Sequence, residues 1–403
     1  MRSAVHLLTV SLTSCVAMCG SIPHAGPGNS FAVMLDAGSS GTRAHVYAWP
    51  SQADCDDRLS NKLVFEKGDG FSANPGLSAF AGNISGIAAY MEPLMSSALA
   101  SVPGVAHSST PIFLQATAGM RLLPVSDQDA ILGAVHDVFG DSPFLSAPDN
   151  SLVVTGAVEG ANEWTSVNYL RGALGSNDTN STMTPPAGVL GMGGASTQIA
   201  FVPLEGTELK AGAFPIEFEG AKSLELYVHS YLGLGATEAQ LGLQAYLAAE
   251  LAMAVEDPCL LRGYATTSPV GPGGTDVELE GSGDEEQCRH AIQSSLVNTD
   301  APCPLTPCSF DGVYQPDLAK GGLVLKKSFY EVSAFFFTAE FFGLEETAPL
   351  IEMERAGKTF CALSWEEAQL EYPATPPDFL ANYCFTALYF VELLVRTLEA
   401  SIL

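Results

Sequence analysis

"FAVMLDAGSSGTRAHVY", Phe31 to Tyr47, and "PPAGVLGMGGASTQIAF", Pro185 to Phe201, read as two copies of one pattern. In each, a short apolar run enters a Gly-rich loop and leaves it through a Thr into a second strand. Aligned on the glycines, Asp36 pairs with Gly191, Gly38 with Gly193, Ser40 with Ala195 and Thr42 with Thr197. The first copy opens its loop with a carboxylate, the second with a bare glycine.

Outward from these loops, strand-like runs alternate with helical patterns, which argues for an α/β architecture. Strands are expected at Phe31–Leu35, Ala44–Tyr47, Pro111–Gln115 and Leu152–Thr155, and helices at Ile84–Ala100, Asp127–Phe139 and Glu159–Leu174. A second series opens with strands at Gly188–Met192 and Gln198–Val202. Helices are then expected near Ser223–Leu232, Thr237–Val255, Trp365–Leu370 and Pro377–Leu398. The polar stretch "SNDTNSTMTPP" joins the two series, and Thr266–Glu286, rich in Gly, Ser and acids, reads as a mobile loop. With 403 residues the chain exceeds the size of one growing core, so two domains are expected.

Hydrophobic content of 47% places the chain among ordered globular proteins. With 17 Lys and Arg against 45 Asp and Glu, the net charge is −28. That surface repels nucleic acid and anionic membranes. An anionic substrate would need a divalent metal or converging backbone N–H groups. The plainer meaning of the acidity is solubility in a salty or calcium-containing medium.

Residues 1–25 read as a secretory signal: Arg2, a mostly apolar run from Ala4 to Ala17, then small residues around Gly20 and Ala25. An uncleaved anchor is the alternative. The apolar C-terminal stretch carries Glu392, Arg396 and Glu399 and does not qualify as a membrane span. Of nine cysteines, Cys15 and Cys19 fall in the signal and six cluster late, at Cys259, Cys288, Cys303, Cys308, Cys361 and Cys384. No zinc spacing stands out, so disulfides in an oxidising compartment are favoured, with fifteen possible pairings. Cys55 is left over, either free or paired between chains. Asn83, Asn177 and Asn180 are glycosylation acceptors.

In "DAGSSGTR", Asp36 to Arg43, small residues let successive N–H groups turn toward one point and hold an anion. Ser39, Ser40 and Thr42 can add hydroxyls, Arg43 a charge or a brace, and Asp36 can hold water on a metal ion. A hairpin with an Asx turn is the bland alternative. The second loop offers the same backbone plus Ser196, Thr197 and Gln198, side chains able to orient a water. "QATAGMRLLP" places Thr117 and Arg121 after an apolar strand, suited to an anion or simply a surface loop. Glu159, in "GAVEGANEWTSVNYL", stands at a helix start, where it is either a dipole-complementing cap or a base. Glu163 fits a solvated helix face, and Asn168 a structural role.

Together these stretches resemble the apyrase family, the nucleoside triphosphate diphosphohydrolases that include guanosine diphosphatases. Its first four signature regions match, in order, "DAGSSGTR", "ATAGMRLLP", "EGANEWTSVNYL" and "GMGGASTQIAF". "NPGLSAF", "LYVHSYLGLGATEA" and "DPCLLRGY" are similar too. The resemblance runs from about Phe31 to Phe390. It implies an actin-like (ribonuclease H-like) duplicated two-domain α/β fold, residues 26–157 and 158–403, with an interdomain nucleotide cleft. It implies Ca²⁺ or Mg²⁺ as cofactor and nucleoside di- and triphosphates as partners. By motif, Glu159 would be the general base, and Ser196 and Gln198 would position the attacking water. Gly38, Ser39, Ser40, Gly41, Thr42, Arg43, Thr117, Arg121, Gly193, Gly194, Ala195, Ser196 and Thr197 would hold phosphates, and Asp36 the metal through water. Arg262 and Phe337 match base-contacting places. The same resemblance implies the disulfides Cys303–Cys308 and Cys361–Cys384, leaving Cys259–Cys288 as the third.

Two departures matter. The family's fourth region normally begins with Asp, and here that position is Gly191, which removes a metal-side carboxylate. The expected cost is roughly tenfold to ten-thousandfold in rate, about 1.4–5.5 kcal/mol. The family's fifth region, which returns to the first domain, has no counterpart before Leu403. Phe379 also stands where some members place a base-contacting Arg. The expected function is therefore a secreted, metal-dependent apyrase. The alternatives are a weakened or non-catalytic nucleotide-binding descendant, or a phosphohydrolase of another anion such as polyphosphate.

Overall fold

The computed structural model describes residues 29–50, 71–174, 185–217, 223–250, 255–320, 323–324 and 329–395. The expected signal, Cys55, Asn177 and Asn180 lie outside the described residues. Contacts divide the chain into two compact units. One comprises Met1–Val202, Gly212–Leu232 and Lys327–Tyr330; the other comprises Pro203–Ala211, Gly233–Lys326 and Glu331–Leu403.

The run from Phe31 to Leu35 is apolar without alternation because the strand it forms, β1 (Asn29–Ala37), is buried on both faces. β1 pairs antiparallel with β2 (Thr42–Pro50), which pairs with β3 (Ser72–Ala73); on its other side it pairs parallel with β4 (Ile112–Ala116), and β4 with β5 (Ser151–Val153). The sheet order is therefore β3-β2-β1-β4-β5. Val33 and Leu35 point into a core with Met91 and Leu94 of α1 (Ile87–Ser101). The short α2 (Ala118–Arg121) follows β4, and α3 (Val125–Gly140) adds Ile131, Val135 and Phe139 to the same core. Ala32, Met34, Tyr47 and Trp49 pack on the opposite face.

The same unit holds most of a second five-stranded sheet. After α4 (Gly156–Leu170) come β6 (Gly188–Met192) and β7 (Ser196–Phe201), then β8 (Ala213–Ile216) and β9 (Leu224–Leu232). With β15 (Phe329–Ser333) the order is β15-β6-β7-β9-β8. In the β1–β2 hairpin Asp36 lies opposite Arg43 and Ala37 opposite Thr42. In the β6–β7 hairpin Gly191 lies opposite Gln198 and Met192 opposite Thr197. The two Gly loops therefore join their strands in one and the same register.

β9 corrects the helix expected over Ser223–Leu232. Leu224, Tyr227, Val228 and Tyr231 satisfy helical spacing, but Val and Tyr suit a pleated surface, and pairing with β7 and β8 decides the outcome.

In the other unit, α5 (Ala236–Glu250) precedes a small sheet of β10 (Val255–Asp257), β11 (Ala265–Ser268) and β12 (Val277–Gly281), ordered β10-β12-β11. Val255 thus starts a strand instead of ending a helix. The stretch expected to be a mobile loop supplies the antiparallel β11–β12 pair. α6 (Glu285–Ser295) follows, capped by the Asp284 side chain, which accepts from the Gln287 N–H. Then come a ribbon of β13 (Ala319–Lys320) and β14 (Leu323–Val324), and α7 (Ala334–Phe341), α8 (Leu350–Cys361) and α9 (Trp365–Glu371). The single helix expected over Pro377–Leu398 is two, α10 (Pro377–Leu380) and α11 (Tyr383–Leu394). Disulfides join Cys259 to Cys288, Cys303 to Cys308 and Cys361 to Cys384. No described helix is long and apolar enough to cross a membrane.

α11 is buried at every described position but Tyr383 and Thr386, including Glu392, which is 3% exposed. Arg289 of α6 makes that tolerable: its guanidinium meets Glu392 at 2.7 Å, Glu285 at 3.3 Å, and Glu354. Gln293 donates to the other Glu392 oxygen at 2.8 Å. Removing one partner of a buried pair strands the other charge. Arg289→Ala is expected to lower unfolding free energy by about 3 kcal/mol in urea titration. Lys358→Ala, at an exposed contact with Glu285, should stay within about 0.5 kcal/mol.

Candidate active site

The centre of the site is a knot of side chains drawn from four stretches of the first unit. Glu159 sits in the first turn of α4, whose N-cap is Thr155: the Thr155 hydroxyl accepts from the Val158 N–H at 3.2 Å. Arg121 closes α2, one turn beyond Thr117, whose carbonyl accepts the Arg121 N–H. The Arg121 guanidinium donates to Glu159 Oε2 at 2.7 Å, to the Ser196 hydroxyl at 3.1 Å and to the Val154 carbonyl at 3.1 Å. From β7, Gln198 Nε2 donates to Glu159 Oε2 at 3.1 Å and lies 2.5 Å from the Ser196 hydroxyl. Gln198 also reaches Ser230 of β9 at 3.1 Å. The sequence offered no signal for Ser230, because its strand reads as a helix.

Glycines let α4 reach the sheet. A Cβ on Gly156 would come within 2.3 Å of the Ser230 side chain, and one on Gly160 within 2.8 Å of Val228. Only hydrogen at these two positions, one turn apart, allows helix and strands to approach this closely. Asn168 then ties the far end of α4 to the entry of β6, exchanging hydrogen bonds with the Ala187 backbone at 2.7 and 3.0 Å.

The tips of both Gly loops face solvent. Gly38 and Ser39 are half-buried and Ser40 exposed; Gly193 is exposed and Gly194 half-buried. Gly41, Ala195, Ser196 and Thr197 are buried beneath them. Thr42 corrects an expectation: its side chain is fully buried, and its hydroxyl accepts from Tyr90 at 2.9 Å, so it does not project from the loop. Thr117 is buried, with its N–H on the Ala37 carbonyl at 3.1 Å, which ties the two motifs together. Arg43 braces the first loop from 4.0 Å off Asp36. Arg262 and Phe337 belong to the other unit. Arg262 is exposed and its carbonyl accepts from the Trp365 N–H, while Phe337 is exposed beside Phe336 on α7.

Glu163 overturns the solvated-face reading. It is only 6% exposed, because α4 is buried on all sides from Gly160 to Asn168. Burial raises Asp36 to about 6, opposed by Arg43 and aided by the charge of Glu159. Burial also raises Glu159, opposed by Arg121 and Ser196. Glu163 is raised well above the ordinary carboxylate range by burial, then by the charges of Glu159 and Asp36. Three carboxylates thus repel one another, with Arg43 and Arg121 as the cations acting on them.

These residues fit a hydrated cation better than a directly coordinated one. Among the described residues no three His, Cys, Asp or Glu side chains stand close enough to grip an ion. Yet Glu163 Oε2 and Gln198 Oε1 are buried acceptors with no hydrogen-bond partner, which suits water donated from a cation's shell.

Mixed sheets flanked by helices, two of them built on Gly-loop hairpins, define an actin-like α/β fold of the kind found in nucleotide hydrolases. A crystal structure of nucleoside triphosphate hydrolases from Neospora caninum aligns with a TM-score of 0.60 at 16% identity, covering 95% of this chain and 88% of that one. Residues 26–400 match the model of the GDA1/CD39 (nucleoside phosphatase) family. Probable apyrase 3 of Arabidopsis thaliana is 34% identical over 386 residues, covering 90% of this chain and 74% of the relative. Ectonucleoside triphosphate diphosphohydrolase 1 of Mus musculus is 32% identical over 395 residues, covering 90% and 74%. The chain therefore belongs to the GDA1/CD39 nucleoside phosphatase family, hydrolases acting on nucleoside phosphate bonds.

A carboxyl whose pKa is raised by folding binds more protons folded than unfolded, so its contribution to stability falls as pH rises. For Asp36 the window runs from 3.8 to about 6. In chelator-treated protein, Asp36→Asn should therefore gain stability relative to wild type between pH 4 and 7, by up to about 3 kcal/mol. Urea midpoints of the two proteins across that range measure it.

Proposed function

We propose that this chain is a divalent-cation-dependent apyrase that releases the terminal phosphate of nucleoside tri- and diphosphates, with Glu159 as general base. The observation that carries this reading is the convergence of Arg121 and Gln198 on one Glu159 oxygen, with the Ser196 hydroxyl held between the same two donors. With Oε2 engaged by Arg121 and Gln198, Oε1 is the oxygen that takes the proton from water. Burial lifts the basicity of Glu159 above that of a free carboxylate, while Arg121 opposes that rise and fixes the plane of the carboxylate.

Ser196 and Gln198 belong to the loop end of β7 and orient the attacking water. As the water oxygen bonds to the terminal phosphorus, the bridging P–O bond breaks and Glu159 receives the proton. Backbone N–H groups at Gly38–Ser40 and Gly193–Gly194 supply donors at the exposed loop tips. The excess of carboxylate over guanidinium around Glu159 would otherwise repel a polyphosphate. A divalent cation, Ca²⁺ or Mg²⁺, held through water by Asp36, would supply the neutralising charge.

Secretion is part of the same reading. Three disulfides suit an oxidising compartment, and Asn83 is exposed at the start of a one-turn helix, open to a glycan.

The test is phosphate release from ATP and ADP with Mg²⁺ or Ca²⁺. Wild type should turn over, Glu159→Gln should lose about 10²–10⁴-fold in kcat, and chelation should abolish release. Equal release by wild type and Glu159→Gln would refute the assignment of the base. No release from any nucleotide would favour the non-catalytic binder.

A further inference from the structure

Gly191 stands opposite Gln198 at the mouth of the second loop, where Asp36 stands in the first. The volume a side chain would fill there is already taken. A Cβ built on Gly191 would lie 2.0 Å from Glu163 Oε2 and 2.4 Å from both Glu163 Cδ and Oε1. The Glu163 carboxylate, reaching across from α4, sits where residue 191 would otherwise begin its own.

The carboxylate is also unspent. Glu163 is more than nine-tenths buried, and its Oε2 has no hydrogen-bond partner among the described residues. A buried, unpartnered carboxylate oxygen costs several kcal/mol and persists only where something else satisfies it. Arg121, whose charge acts on it, already holds Glu159, Ser196 and the Val154 carbonyl. What remains near Glu163 is negative: Glu159 one turn back on the same helix, and Asp36 at the end of β1.

We propose that Glu163 supplies from helix α4 the metal-side carboxylate that the second loop lacks at Gly191, accepting hydrogen bonds from the water shell of a divalent cation shared with Asp36. The exchange conserves charge: the acceptor has moved from strand to helix. The expected deficit at Gly191 is thereby filled, and restoring an Asp at 191 alone would force two carboxylates into one buried volume.

The inference rests on the cation-dependent reading above, so its test is binding of Mn²⁺ itself. Mn²⁺ is titrated into the full chain by EPR, with and without a non-hydrolysable nucleoside diphosphate, and folding of each variant is checked by thermal melting. Glu163→Gln keeps the shape and removes the charge, and should weaken Mn²⁺ binding about tenfold or more. The double variant Glu163→Ala with Gly191→Asp returns the carboxylate to the strand, and should bind Mn²⁺ within about threefold of wild type. Wild-type and Glu163→Gln proteins binding Mn²⁺ alike, or wild type binding none, would overturn the proposal. So would a folded double variant that binds no better than Glu163→Gln. Phosphate release is scored separately: Glu163-dependent Mn²⁺ binding in a protein that hydrolyses no nucleotide would sink the apyrase reading and leave this one standing.

Discussion

The site depends on one constraint: α4 must lie flush on β7 and β9. Gly156 and Gly160 permit the approach, and the buried Trp164 and Asn168 hold the remainder of the helix in place. Flush seating puts the first turn of α4 against Ser196, Gln198 and Ser230. It also removes water from two carboxylates at once, at a desolvation cost of several kcal/mol each. Arg121 offsets that cost for Glu159. Among the described residues no donor reaches Glu163 Oε2, and Arg121 acts on Glu163 through its charge alone.

The chain handles a buried carboxylate differently where its role is structural. Glu392 is more deeply buried than Glu159, yet both its oxygens are taken, one by Arg289 and the other by Gln293. A fully satisfied network rigidifies the packing around it. Glu163, with an open oxygen, belongs to another category of burial. The contrast lies within one molecule and needs no outside standard.

Much of this was readable from residues alone. The two Gly-loop hairpins announce themselves because apolar runs, glycines and a closing Thr recur at one spacing, and their shared register bears that out. Glu159, Arg121, Ser196 and Gln198 were nameable one by one, but no spacing tells that they meet in one hydrogen-bonded knot, because their contacts span 38 to 75 residues of chain. β9 misled because its Leu, Tyr and Val residues satisfy two periods, and only pairing chooses between them. Thr42 misled because a hydroxyl in a Gly-rich loop looks available until Tyr90 reaches it from α1. Glu163 was the costliest misreading. A Glu four residues after another Glu looks like a solvated face, and nothing local reveals that this helix has no solvated face there. The clue lay elsewhere in the chain, at Gly191, as an absence with the volume of a side chain.

Carrying both carboxylates on α4 has a mechanical consequence. Residues four apart on a helix are separated by about 6 Å along its axis and share a face. A base on a helix and a cation-side acceptor on a separate strand can drift apart whenever the two elements shift. With both on one rod, any tilt or slide of α4 carries them together, and their spacing is fixed by the helix's own hydrogen bonds. The geometry between base and cation then becomes a local property of one turn of helix, insulated from small motions of the sheet beneath it.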